Sequence, residues 1–163
     1  MLASMVEVRD ATAGDFREMA MVYRRASLSN KGDRSLLLAH PEYLDLSADA
    51  VLAQRSLVAV VEGRVVGFAS VVAVEAGLEL EALFVDPDWT RRRVGSALVD
   101  AVVARAGRSG RSMVTVSANW HALAFYEQAG FVKVDMDELE SCATPRMALS
   151  VPSAADATSH RMM

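Results

Sequence analysis

Three consecutive arginines, Arg91, Arg92 and Arg93, stand just before Gly95, where helical periodicity begins in "VDPDWTRRRVGSALVDAV". A helix start leaves about four backbone N–H groups unpaired at the positive end of the dipole, so each cation there is unfavourable by roughly 0.3–1 kcal/mol. A phosphate would relieve this repulsion and satisfy several N–H groups, and Gly95 has no side chain to hold it away. The pattern predicts an anion site, and a solvated basic helix start is the alternative.

A second group of polar side chains occurs on either side of this stretch. Glu79 and Glu81 alternate in "LELEALFV" and therefore lie on one face of a predicted strand, where they either serve a site or face solvent across a half-buried sheet. Asn119 falls where the next helix begins, a position that also suits a helix N-cap. Tyr126 follows at helical spacing from Leu123, which is equally the spacing of a packed aromatic residue.

The elements that must hold these residues are a mixture of strands and helices. Thr12 followed by Asp15 is typical of a helix N-terminus, and short turns between Leu57 and Pro87 predict antiparallel strands. The predicted order is a strand ending near Arg9, helices over 13–27 and 48–54, three strands between 57 and 87, a helix from about 94 to 107, a strand near 113–117, a helix over 119–128 and two closing strands. The segment 28–47 has no clear assignment. The fold class is α/β (α+β), with a mixed, mostly antiparallel sheet of about six or seven strands flanked by about four helices.

Length and composition narrow the function classes. The chain has 163 residues, of which 52% are hydrophobic and 23% charged, so one globular domain over 1–151 is predicted, with a disordered tail over 152–163. The net charge of −4 argues against nucleic acid as the main partner. A lone cysteine, Cys142, gives neither a disulfide nor a metal-type pair, and no apolar run has the roughly 18–20 residues of a membrane helix. The predicted location is the cytoplasm, no metal is expected, and a homodimer stays open.

Three motifs together resemble the GCN5-related N-acetyltransferase (GNAT) family, which transfers acyl groups from acyl-CoA to amines. They are "VVGFASV", "LFVDPDWTRRRVGSALV" and "NWHALAFYEQAGFVKV", and the resemblance extends from Val6 to about Val151. The family's pyrophosphate loop is written Gln or Arg, two residues, Gly, one residue, then Gly or Ala. The preferred register places Thr90 first, Arg93 at the first glycine and Gly95 at the second. A shifted register uses Arg92, Gly95 and Ala97. In the preferred register, the side chain of Arg93 is tolerable if its φ is negative.

The resemblance also implies which residues contact the cofactor. Acetyl-CoA would be the co-substrate, with its pantetheine arm on the backbone of the strand before the loop and with Asn119 as a further contact. Its pyrophosphate would lie on the loop and helix start. The cofactor-binding set is therefore Leu83, Phe84, Val85, Thr90, Arg91, Arg92, Arg93, Val94, Gly95, Ser96, Ala97, Asn119 and Tyr126.

Catalytic roles follow from the same resemblance. Tyr126 would stand beside the leaving sulfur. A tyrosine near pKa 10 is a weaker acid than a thiol near 8.5, so full proton transfer to the thiolate is uphill by roughly 2 kcal/mol. A neutral amine nucleophile costs about 4–5 kcal/mol to make at pH 7. Glu81 is the first choice of base and Glu79 the second, directly or through water, for attack in the gap between the splayed fourth and fifth strands.

The acceptor is a small-molecule amine, an amino acid or a protein N-terminus, and 28–46 and 137–144 would shape its site. Two alternatives stay open. One is a non-catalytic acyl-CoA sensor on the same fold. The other is a nucleotide-binding protein that uses the helix-start anion site alone, against which the 119–131 motif argues.

Overall fold

We describe a computed structural model that covers residues 5–30, 32–75, 77–118, 122–134 and 145–152. Asn119, the predicted acceptor loop 137–144 and the predicted tail beyond Pro152 lie outside the described residues.

The described residues form seven strands and five α-helices. The strands are β1 (Glu7–Asp10), β2 (Ser56–Val61), β3 (Arg64–Val74), β4 (Gly77–Val85), β5 (Met113–Ser117), β6 (Val132–Val134) and β7 (Arg146–Ser150). The helices are α1 (Phe16–Leu28), α2 (Arg34–Ala39), α3 (Asp49–Leu52), α4 (Val94–Arg108) and α5 (Leu123–Gln128), with 3-10 turns at Ala13–Asp15, Pro41–Leu44 and Pro87–Trp89.

The strands make one mixed sheet in the order β1-β2-β3-β4-β5-β7-β6. β4 and β5 are parallel, whereas the β1–β2, β2–β3, β5–β7 and β6–β7 pairs are antiparallel. The predicted fold class is confirmed. The one additional helix is α2, in the segment that had no assignment. None of its residues is buried, and Leu36 and Leu38 are each 56% exposed.

The chain divides into two compact units. The first unit comprises 1–71 and 82–101, and the second comprises 72–81 and 102–163. The single domain over 1–151 stays a prediction.

The core of the first unit joins α1 to the hairpin of β2 and β3. Its buried members are Met19, Val22, Val51, Val58, Val65 and Phe68. Residues Met19 and Val22 come from one face of α1, as the periodicity of the sequence predicts. The hairpin turns at Glu62 and Gly63, whose φ angles of 50° and 78° suit the mirror-image turns that join twisted strands.

The predicted capping box fixes the 3-10 turn Ala13–Asp15 that leads into α1. The backbone N–H of Thr12 donates to Asp15 at 2.8 Å, and the Arg9 guanidinium donates to both oxygens of the same carboxylate at 2.8 and 3.0 Å. These hydrogen bonds, led by those from Arg9, lower the pKa of Asp15 to about 2.

The second unit is centred on β5, which pairs with the first half of β4 and with β7. The parallel register matches Leu78 with Val114 and Leu80 with Val116. β4 begins at Gly77. This position requires glycine because a Cβ there would collide with the carbonyl oxygen of Met113. No helix in the described parts of the chain combines the length and apolar character needed to cross a membrane.

Candidate active site

The segment after β4 is organised by Asp86, a buried residue of the first unit. Its N–H donates to the carbonyl oxygen of Val66 at 2.9 Å, which anchors the end of β4 to β3. Its side chain accepts a hydrogen bond from the N–H of Asp88 at 3.0 Å, and its carbonyl accepts one from Trp89 at 2.8 Å. Asp86 therefore caps and closes the 3-10 turn Pro87–Trp89.

Arg25 extends from α1 to the same turn. Its Nη1 lies 3.1 Å from Asp86 Oδ2, and its Nη2 donates to Asp88 Oδ2 at 2.9 Å. The hydrogen bond to Asp88, followed by the charge of Asp86, raises the pKa of Arg25. No local sequence pattern points to Arg25, because its two partners lie more than 60 positions further along the chain. By contrast, Asp86 before a proline is a recognisable helix-start signal.

The arginine run forms the turn before α4. The structure starts the helix at Val94, so Arg91, Arg92 and Arg93 precede its first turn instead of forming part of it. Arg92 lies over the Trp89 ring with 4.9 Å between guanidinium carbon and ring centroid, which makes it a cation–π contact. Thr90, the first position of the preferred register, is exposed and donates its hydroxyl to the Pro87 carbonyl at 3.1 Å.

Two of the arginines adopt a backbone conformation that favours glycine. Arg91 and Arg93 each have a φ of 63°, in the left-handed region where a side chain costs roughly 1–2 kcal/mol. The negative φ that would make the side chain at Arg93 tolerable is therefore not observed. A glycine at position 93 would adopt this conformation without strain, and the register of the loop stays a prediction.

The helix start also presents backbone N–H groups. The first helical hydrogen bond runs from the N–H of Ala97 to the carbonyl of Arg93 at 3.0 Å, so the amide of Ala97 is already used. The N–H groups of Val94, Gly95 and Ser96 precede that bond and have no carbonyl one turn back within the helix. These three amides are the backbone donors that this helix start offers.

Gly67 allows the helix start to lie close to the sheet. A Cβ on Gly67 would come within 3.0 Å of Val94 Cγ1, 3.1 Å of the Phe84 carbonyl oxygen and 3.2 Å of Leu98 Cδ1. These distances are shorter than most Cβ contacts in proteins. Any residue larger than glycine would therefore move α4, β4 or both. Gly67 lies in "VVGFASV", one of the three motifs, although no local pattern predicts its role in packing.

The end of β4 supplies the predicted pantetheine-binding backbone. Leu83, Phe84 and Val85 are half-buried. The ring of Phe84 meets Tyr23 edge-on, with 4.9 Å between centroids, and lies 5.6 Å from Phe68. The strand is therefore fixed to the core of the first unit by Phe84.

The fit of an anionic cofactor depends on residues 90–96 of the first unit, which we call the phosphate loop. No carboxylate occurs from Thr90 to Val99. The side chains of Arg91, Arg92 and Arg93 are exposed, and the amides of Val94, Gly95 and Ser96 lie at the positive end of a fifteen-residue helix. The loop thus has the donors and the charge that a pyrophosphate requires.

The predicted acids lie on β4 within the second unit. Arg146 Nη2 donates to Glu79 Oε1 at 3.1 Å, so the Glu79 carboxylate is engaged in an ion pair at 28% side-chain exposure. Glu81 is two residues further along the same strand face and is exposed. Glu81 is therefore the more exposed of the two candidate bases.

Tyr126 lies on α5 and is only 6% exposed. Its ring packs edge-on against Phe125 and Phe131, with centroid distances of 5.2 and 5.3 Å. Burial raises the pKa of the Tyr126 hydroxyl to about 12. The side chain therefore stays neutral, and able to donate, throughout the physiological range.

Comparisons with known proteins point to one family of acetyltransferases. The family model of the acetyltransferase (GNAT) domain matches residues 53–133. The uncharacterized N-acetyltransferase YafP of Escherichia coli (strain K12) is 29% identical over 139 residues, which are 83% of this chain and 87% of the relative.

Solved structures share the fold. The PaiA N-acetyltransferase from Thermoplasma acidophilum, in complex with coenzyme A, has a TM-score of 0.73 at 16% identity and covers 90% of this chain and 99% of its own. Ard1 from Thermoplasma volcanium has a TM-score of 0.63 at 26% identity and covers 90% and 97%. The matched residues include the phosphate loop, both glutamates and Tyr126. The chain therefore contains a GNAT acetyltransferase domain over residues 53–133, and the comparisons support N-acetyltransferase activity.

Proposed function

We propose that the protein transfers an acetyl group from acetyl-CoA to a primary amine by direct attack in a ternary complex. The observation that carries the proposal is the phosphate loop, which combines three exposed arginines with the first three amides of α4 and contains no carboxylate. The coenzyme A in the related structure from Thermoplasma acidophilum supports the same cofactor class. Acetyl-CoA, when bound, would supply the activated acetyl group.

The loop would hold the pyrophosphate mainly through its backbone. The amides of Val94, Gly95 and Ser96 are fixed by α4, so their dipoles need no reorganisation on binding. Arg91 and Arg93 would add charge, while Arg92 is stacked on Trp89. The backbone of Leu83, Phe84 and Val85 would bind the pantetheine arm, with Asn119 as a further proposed contact.

Glu81 is the proposed base, either directly or through a water molecule. An acceptor amine must lose a proton before it can attack, at a cost of about 4–5 kcal/mol at pH 7 for a lysine-like amine. Glu81 is exposed on its strand face and so is accessible to an amine or a water molecule, whereas the Glu79 side chain is only 28% exposed. This difference in environment favours Glu81 over Glu79.

Tyr126 is proposed to stabilise the leaving sulfur by hydrogen bonding rather than by full protonation. With a pKa of about 12, the hydroxyl is about 3.5 units weaker as an acid than a thiol near 8.5, which makes complete transfer uphill by roughly 5 kcal/mol. A hydrogen bond to developing thiolate charge needs no such transfer.

The direct test combines calorimetry with a turnover assay. We expect CoA and acetyl-CoA to bind with dissociation constants in the micromolar range, and ADP to bind more weakly because it lacks the pantetheine arm. A panel of a polyamine, free amino acids and peptides with free N-termini is then assayed for CoA thiol release. Failure of the wild type to bind CoA at about 1 mM would exclude the proposal.

A non-catalytic acyl-CoA sensor is the second candidate. One observation favours it: of the two predicted bases, Glu79 is occupied by an ion pair. CoA binding without turnover on any amine of the panel would support the sensor. The cytoplasm stays the predicted location, and a homodimer stays open.

A further inference from the structure

Arg25 makes a contact that the proposed chemistry does not use. Its guanidinium joins α1 to Asp86 and Asp88 at the entrance of the phosphate loop, at 3.1 and 2.9 Å. We propose that this Arg25–Asp86–Asp88 clamp is a positioning device that preforms the phosphate loop for CoA. The inference rests on the proposed function, because it assumes that the loop binds the CoA pyrophosphate.

The loop needs an external hold because its own conformation is strained. Two non-glycine residues, Arg91 and Arg93, have φ angles of 63°. Such conformations cost of order 1–3 kcal/mol each and persist where the surrounding structure fixes them. Without a hold at the entrance, the turn would relax to other conformations, and the ligand would have to select the competent one, which weakens apparent affinity.

The contacts that restrain the phosphate loop lie at its entrance, around Asp86. Asp86 is bonded through its N–H to Val66 and through its side chain and carbonyl to Asp88 and Trp89. Trp89 in turn carries the Arg92 guanidinium on its ring. A continuous set of contacts therefore leads from Arg25 on α1, through the 3-10 turn, to the middle of the arginine run.

Charge gives the clamp a second role. Asp86 and Asp88 are carboxylates only two to four residues from Thr90, and their charge would oppose an anionic ligand on the loop. Arg25 pairs with both, and its planar fork can satisfy two carboxylates, whereas a lysine ammonium is a point charge on a flexible stem. Position and charge compensation thus come from one side chain.

The experiment measures CoA affinity and steady-state kinetics of the full chain carrying Arg25→Ala, Arg25→Lys or Arg24→Ala. Arg24 is the matched control, because it is the exposed neighbour on α1 and its loss removes the same charge. We expect Arg25→Ala to raise the CoA dissociation constant and the acetyl-CoA KM about 5–10-fold. The expected values for kcat and the amine KM are within about twofold of wild type. Arg25→Lys should be intermediate, and Arg24→Ala should stay within about twofold.

Asp88→Ala separates positioning from simple charge. Asp88 is 74% exposed, so its substitution should not disturb folding. If only net charge mattered, removing this carboxylate would tighten CoA binding. The clamp predicts the opposite sign, a weakening of about 2–3-fold, because Arg25 loses one of its two partners.

The outcomes distinguish the clamp from the function on which it rests. If the wild type binds CoA but Arg25→Ala behaves like Arg24→Ala, or Asp88→Ala binds CoA more tightly, the clamp is wrong and the proposed function stands. If Arg25→Ala lowers kcat or the melting temperature without changing KM for acetyl-CoA, its role is structural and the clamp is also wrong. A wild type that does not bind CoA overturns both.

Discussion

The phosphate loop of the first unit and the glutamate and tyrosine positions of the second unit are built by different means. The loop depends on backbone conformation: two residues at a φ of 63°, three amides at a helix start and a glycine beneath it. The second unit depends on side-chain surroundings, namely a buried tyrosine between two phenylalanines and a glutamate paired with arginine. Changes in the loop should therefore act on binding and stability, and changes in the second unit on the rate.

The largest effect that we expect is on turnover, from Tyr126→Phe. Loss of one hydrogen-bond donor to developing charge typically lowers kcat by about 10²–10³-fold. Because the ring packing against Phe125 and Phe131 is retained, the CoA dissociation constant should stay within about twofold. Assays of CoA thiol release measure kcat, and calorimetry measures the CoA dissociation constant. An unchanged kcat would remove the proposed role of Tyr126.

Glu81→Gln should have the next largest effect. Loss of a general base costs about 10²-fold in kcat/KM for the amine, and the loss should shrink at higher pH as the neutral amine becomes abundant. Glu79→Gln is the matched variant on the same strand face. It breaks the exposed pair with Arg146, should lower the free energy of unfolding by at most about 1 kcal/mol, and should reduce kcat/KM less than Glu81→Gln. The reverse ranking would make Glu79 the base.

Alkaline pH should reveal the burial of Tyr126. Its pKa in the folded protein is raised from 10 to about 12, so the neutral hydroxyl is favoured in the folded state. This contribution to stability is complete below pH 10 and is lost as the pH rises through about 12. Between pH 9 and 11.5 it should decrease by about 2 kcal/mol. Denaturant unfolding of wild type and Tyr126→Phe at both pH values measures it, and equal losses in the two proteins would contradict the buried environment.

Gly67→Ala tests how closely α4 lies against the sheet. The added methyl would meet Val94, Leu98 and the Phe84 carbonyl at 3.0–3.2 Å, so we expect a loss of about 1–2 kcal/mol in the free energy of unfolding. Because the affected residues border the phosphate loop, the CoA dissociation constant should also rise several-fold. Gly63→Ala is the comparison: nothing lies within 4 Å of its Cβ, and its cost comes from the positive φ alone, without an effect on CoA affinity.

Arg93→Gly should have the smallest effect, a slight increase in the free energy of unfolding. Glycine removes the left-handed strain of about 1–2 kcal/mol but restores unfolded-state entropy worth about 0.5–1 kcal/mol. The net gain should be about 0.5–1 kcal/mol by thermal or denaturant unfolding. Arg92→Gly should instead lose up to about 1 kcal/mol, because Arg92 stacks on Trp89. If backbone amides make the main contact with phosphate, Arg93→Gly should change the CoA dissociation constant by less than about threefold. A tenfold rise in the CoA dissociation constant would instead show that the Arg93 side chain makes the main contact with phosphate.

Much of the fold could be predicted because its signals are local. The turn at Glu62 and Gly63, the capping box of Thr12 and Asp15 and the end of β4 before Pro87 each depend on adjacent residues. The helix α2 was not predicted, since three consecutive leucines carry no helical period and none of its residues is buried.

The candidate site could be predicted only in part, because some of its properties depend on distant residues. The sequence indicates that Arg93 stands where the family has glycine, but it does not give the sign of φ, which is 63°. It places Glu79 and Glu81 on one face, yet only the fold brings Arg146 to Glu79. The partnership of Arg25 with Asp86 and Asp88 likewise depends on how α1 packs in the first unit.

The exposure of α2 has a consequence for how such an enzyme can diversify. Because none of its residues is buried, replacing one outward-facing side chain by another changes the folding energy little. Substitutions in this helix are therefore tolerated without unfolding the protein, whereas a substitution at Gly67 beneath the phosphate loop meets atoms 3.0–3.2 Å away. New surface chemistry can therefore be introduced at α2 at little cost in folding energy.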